Sequence, residues 1–77
     1  MALVSLDRLE PGQRAVVRRL CLGESMARRL QELGLIPGTA VACCWKRPRG
    51  GPAAYRFRGT TIALRVYDSR GVLVERC

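Results

Sequence analysis

A small, mostly β fold with one helix is predicted by three features of the sequence. Short runs of alternating apolar and polar residues recur along the chain, and glycines and prolines punctuate them. One interval alone, residues 23–33, repeats its apolar side chains at helical spacing. With 77 residues there is room for one domain, 1–77, because a second hydrophobic core has no chain left to close it. The apolar share of 48% is enough to fill that core and too high for a disordered tail.

Leu3, Leu6 and Leu9 recur every third residue ahead of Pro11-Gly12, which reads as an extended entry and a short helical turn closed by a Pro-Gly turn. Gln13 to Leu20 alternates as a first strand whose arginines face water. From Gly23 to Leu33, Met26, Leu30 and Leu33 fall at i, i+4 and i+7 with Ala27 beside them, making one apolar stripe on a helix. Glu24 suits the amino end of the helix dipole and stands four residues before Arg28. Gly34 follows the stripe where a left-handed residue ends a helix, and Pro37 prevents its resumption.

Pro37-Gly38 is then the centre of a type II turn, Pro presetting φ at the first position and Gly accepting a positive φ at the second. Thr39 to Lys46 is the next strand, with Val41, Cys43 and Trp45 on one face and Ala40, Ala42 and Cys44 on the other. Arg47 to Pro52 holds two prolines and two glycines and is a hairpin loop. Ala53 to Arg58 returns, Gly59 turns the chain, and Thr60 to Arg65 forms a fourth strand with Ile62 and Leu64 inward. Tyr67 to Gly71 is a tight turn, and Val72 to Glu75 closes the sheet. Five short strands leave exposed edges unless the sheet curls on itself. Curling gives a small SH3-like five-stranded barrel with the helix inserted between strands 1 and 2, and one uncapped edge leaves pairing with a second copy open.

The chemistry of catalysis is poorly served. The sequence has no histidine, three serines outside any nucleophile elbow, no glycine-rich phosphate cradle, and six scattered acids without a spaced pair. No enzyme is expected, and no cofactor. The formal charge of +8, thirteen arginines and one lysine against six acids, attracts anionic partners. Nucleic acid is not expected among them. The arginines are dispersed without a like-charged run, and with Tyr55 and Phe57 assigned to the core only Trp45 and Tyr67 are left as stacking platforms. Cys21, Cys43, Cys44 and Cys77 contain no C-x-x-C, and Cys43 and Cys44 point to opposite faces of a strand, so no metal site is assigned. The opening Met1-Ala2-Leu3-Val4-Ser5-Leu6-Asp7 reaches an acid too soon for a signal-peptide core, and no run approaches the ~18 apolar residues of a membrane span. A cytoplasmic location is expected.

Glu32-Leu33-Gly34-Leu35-Ile36-Pro37-Gly38-Thr39 resembles the helix-to-strand junction of the ferrous iron transport protein A (FeoA) family. Arg28-Arg29-Leu30 before it, Gly50-Gly51-Pro52 in the hairpin loop and Arg58 to Arg65 in the late strand continue the resemblance, which covers roughly residues 3–75. It implies an SH3-like barrel and a cytosolic accessory or regulatory role in bacterial ferrous iron uptake. The implied partner is the GTP-binding cytosolic part of a FeoB-type iron permease, with membrane association through that permease only. A related barrel ends iron-dependent repressors, which makes a metal-sensing, transition-metal-binding module the alternative, beside a basic nucleic-acid-binding barrel. The resemblance carries no catalytic or metal site onto this chain. Its shared residues read as structural: Gly34, Pro37, Gly38, Gly59, Ile62 and Leu64. The expected partner contacts are Arg28 and Arg29 on the helix, Leu35 and Ile36 at the junction, and Trp45, Arg47 and Arg49 around the hairpin loop.

Overall fold

The structure, a computed structural model, describes residues 2–77; Met1, the first residue of the opening stretch considered above, lies outside the described residues. The elements in chain order are β1 (Val4–Ser5), a 3-10 turn (Leu6–Arg8), β2 (Arg14–Leu20), α1 (Glu24–Leu33), β3 (Ala40–Lys46), β4 (Ala53–Phe57), β5 (Thr60–Leu64), α2 (Val66–Ser69) and β6 (Val72–Arg76). They build one antiparallel sheet in the order β1-β6-β2-β3-β4-β5. A flat sheet would be a slab about one side chain thick on either face. The extents of 28 × 26 × 24 Å instead mark a strongly coiled sheet wrapped around its own core.

The mostly β, SH3-like class therefore stands, with two corrections. The strands number six, because the extended entry before the 3-10 turn pairs with β6 through Val4↔Val74 and Ser5↔Leu73. The barrel is open, since β1 and β5 are the two ends of the sheet and do not pair. The helix lies between the first two long strands, β2 and β3, as its place in the sequence requires. The segment read as a tight turn before β6 winds into the single turn α2, whose backbone N–H groups at Asp68 and Ser69 donate to the Arg65 carbonyl.

The inward residues of every long strand meet in one core with Leu6, Leu9, Leu30 and Leu35. Tyr55 and Phe57, the largest buried side chains, lie at its centre, as their alternation on β4 predicts. A register shift between Cys43 and Trp45 interrupts the alternation of β3. The extra residue, Cys44, turns Trp45 out of the face shared by Val41 and Cys43, so the indole is 44% exposed.

Helix α1 ends as its sequence predicts. Gly34 has φ +105°, its N–H donates to Gln31 at 3.0 Å, and the Leu35 N–H donates back to Leu30 at 2.9 Å. This six-to-one closure folds Leu35 back against Leu30, and both side chains enter the core. The Pro37-Gly38 turn follows, with φ +95° at Gly38 and the Thr39 N–H donating to Ile36 at 3.0 Å. Thr39 is buried and secures the junction from both sides: its hydroxyl donates to the Gly34 carbonyl at 3.0 Å and accepts from the Ile36 N–H at 3.3 Å.

Candidate docking groove

The apolar stripe of α1 is wider than the core needs. Leu30 alone is fully buried, Met26 is half-buried, and Leu33 is 42% exposed. Facing this stripe is the open end of the sheet, β5, where Leu64 is buried and Ile62 is half-buried. Between them runs a groove of about 700 Å³ lined by α1, by Ile62 to Arg65, and by Tyr67 and Asp68 of α2. Tyr67 stands at one end with 82% of its surface exposed. A second hollow along the amino end of α1 shares Met26, Tyr67 and Asp68 with the first, so the depression continues past the tyrosine. The rim of the first groove carries Arg29 and Arg65 against the single acid Asp68. An apolar trough bordered by cations suits a protein surface that offers apolar anchors with acids beside them.

The expected contact residues divide among three environments. Arg28 and Arg29 are exposed on α1, where Arg28 holds only a loose, solvent-facing pair with Glu24 at 3.4 Å and Arg29 lines the groove. Ile36, past the end of α1, is 38% exposed and is not part of the groove lining. Leu35 must be withdrawn, because it is completely buried: the closure at the end of α1 turns it into the core. Trp45, Arg47 and Arg49 form a separate surface on the β3–β4 hairpin, where the Arg47 guanidinium lies 5.9 Å from the centre of the Trp45 ring. Of the residues read as structural, Ile62 does double duty, packing against the core and forming a groove wall. Spacing places Met26 and Leu33 on one apolar stripe with Leu30. Their place at a groove depends on where β5 ends the sheet, which helical periodicity does not encode. Tyr67 did leave a signal, as one of two aromatics without a core position.

The thiols are dispersed. Cys21 and Cys77 are exposed, Cys44 is half-buried and Cys43 is buried. Burial pushes the Cys43 thiol above its ordinary 9.0, with Lys46 nearby acting in the opposite sense. Among the described residues no three His, Cys, Asp or Glu side chains stand close enough to hold a metal ion. The same residues contain no helix long and apolar enough to cross a membrane.

The family model for the FeoA domain matches residues 4–76. The chain belongs to the FeoA family. FeoA proteins are implicated in ferrous iron transport. One solved relative, the zinc complex of FeoA from Stenotrophomonas maltophilia, is described as a procaryotic SH3 domain protein. It is 33% identical, with a TM-score of 0.81 over 94% of this chain and 89% of that one. The FeoA-like protein of Clostridium acetobutylicum is 26% identical, with a TM-score of 0.85 over 99% of this chain and 88% of that one. A manganese-dependent transcriptional repressor bound to manganese shares the fold, with a TM-score of 0.89 over all of this chain and 38% of that one at 16% identity. A search of curated proteins finds no match to the sequence. Zinc accompanies the Stenotrophomonas FeoA.

Proposed function

We propose that this FeoA chain is a cytoplasmic accessory protein of ferrous iron uptake that binds the GTP-binding cytosolic part of a FeoB-type permease. The observation that carries the reading is the groove: Met26, Leu33 and Tyr67 leave apolar surface unburied beside Arg29 and Arg65. Exposed apolar surface framed by charge is the signature of a contact between proteins. Membership of a family implicated in ferrous iron transport supports assigning that contact to iron uptake. Docking, with no reaction of its own, is the role proposed for the chain, with Arg28 and Arg29 extending the contact along the helix and Ile36 beyond its end. The hairpin residues Trp45, Arg47 and Arg49 form a second, independent candidate contact.

The test is co-purification with the permease's cytosolic domain, with and without guanine nucleotide. Joint reversal, Arg28→Glu with Arg29→Glu, should weaken capture while leaving folding intact, because the one ion pair it breaks is solvent-exposed. Capture equal to the unmodified chain would remove the helix face from the interface. No capture of the unmodified chain under any nucleotide condition would end the proposal.

A further inference from the structure

The groove has one wall made of backbone. The β4–β5 hairpin turns through Arg58 and Gly59, whose φ values of +50° and +74° are both positive, as a two-residue type I′ loop requires. In such a hairpin the flanking pair, here Phe57↔Thr60, exchanges the closing hydrogen bonds. Antiparallel pairs alternate between bonded and non-bonded. Tyr55↔Ile62 and Ala53↔Leu64 are therefore the bonded pairs, and Arg56↔Thr61 and Ala54↔Ala63 the non-bonded ones. It follows that Thr61 and Ala63 turn their N–H and C=O groups away from β4, toward the side where the sheet has no further strand. The lining of the groove agrees. Ala63 points its side chain opposite to Ile62 and Leu64, and all three border the groove, as they would where the groove reaches the strand's edge.

We infer that the free edge of β5 takes an extended segment of a partner as an added strand, with apolar side chains entering the groove and flanking acids meeting Arg29 and Arg65. Strand addition answers both features at once: main-chain hydrogen bonds satisfy the edge, and alternate side chains fall on the face of Ile62 and Leu64 toward Met26 and Leu33. A helix laid in the groove would fill the apolar trough and leave the edge donors and acceptors unanswered. Charge selects the flanks. Neither Arg29 nor Arg65 is in an ion pair among the described residues, and each offers a planar fork to a carboxylate. With strands rising about 3.3 Å per residue, β5 has room for a segment of about five residues.

This inference rests on reading the groove as a docking surface, and its test uses peptides instead of the permease so that the two stand or fall apart. The probe is a blocked eight-residue peptide alternating valine with threonine and ending in glutamates, titrated into the isotope-labelled full chain. The control peptide has the same composition with its valines at helical spacing. Hydrogen exchange at the Thr61 and Ala63 amides should slow at least tenfold with the alternating peptide and stay unchanged with the control. Ala63→Pro removes an outward N–H without touching the β4 ladder, and it should weaken binding about fivefold to tenfold. The exchange measurement needs no variant, so it decides the matter even where Ala63→Pro fails to fold. Equal or tighter binding of the control, unslowed exchange at both amides, or no peptide binding at millimolar concentration overturns the inference. Protection of those amides by self-association, rising with protein concentration in the absence of peptide, overturns it in favour of a second copy as occupant.

Discussion

At Gly71 an added Cβ would lie 2.7 Å from the Cys21 carbonyl oxygen and against the side chain of Leu22. The Gly71 carbonyl in turn accepts the Cys21 N–H at 2.6 Å, so two backbones touch where β2 ends and β6 begins. Gly71→Ala should cost about 1–3 kcal/mol, read as a lower midpoint in thermal or denaturant unfolding, because rigid main chain stands in the way as well as the Leu22 side chain. Gly34 is constrained differently, by its left-handed φ and by the Arg58 side chain that crosses it. Tyr55 sets a pH limit. Burial drives its hydroxyl from 10.0 up to about 12, against the opposing hydrogen bond with Ser69. The unfolded chain releases this proton near pH 10 while the folded one retains it, so the contribution is complete below pH 10 and lost as the pH rises toward 12. Unfolding free energy should fall by roughly 2–3 kcal/mol across that interval. Tyr55→Phe should flatten the dependence, and an equally steep fall in that variant would show that another group is responsible.

Among the elements, α1 divides its apolar residues between two tasks. Leu30 is 1% exposed within the core and Leu33 is 42% exposed at the groove, although both belong to one stripe at helical spacing. Leu30→Ala should therefore destabilise by about 2–5 kcal/mol, through lost burial and the cavity left behind. Leu33→Ser should stay within about 1 kcal/mol of the parent and weaken partner capture instead. Equal losses of stability from the two substitutions would place Leu33 in the core and close the groove. The edge strand shows a similar division. The alternation that buries Leu64 also turns the Thr61 and Ala63 backbone groups outward, so one period-two pattern serves the core and leaves a docking edge. Bulges redirect other side chains: the shift at Cys44 exposes Trp45, and the one between Val17 and Arg19 leaves Arg18 and Arg19 both facing water.

For the whole molecule, charge and shape act over different ranges. A net charge of +8 draws an acidic partner from a distance, while the groove discriminates only on contact. Capture of the permease domain should therefore slow as ionic strength rises from about 0.05 to 0.5 M, with association rates falling much more than dissociation rates rise, as stopped-flow or surface kinetics would report. A salt-independent association rate would remove steering from the account. Much of this architecture was legible in the residues. Helical spacing over residues 24–33, the left-handed glycine at 34, the Pro37-Gly38 turn and the alternation at Tyr55 and Phe57 are local patterns that a short window of sequence contains. So are the charge excess and the junction shared with the FeoA family. Pairing of Val4 and Ser5 with β6, the bulge at Cys44, the burial of Leu35 and the opening between β1 and β5 involve residues far apart in the chain or one extra residue in a strand. Sequence by itself determined the long helix, the five longer strands and the charge they carry, since those follow from neighbours within a turn or two. Tertiary structure alone decided which apolar residues stay uncovered, because that depends on which strand comes last in the sheet.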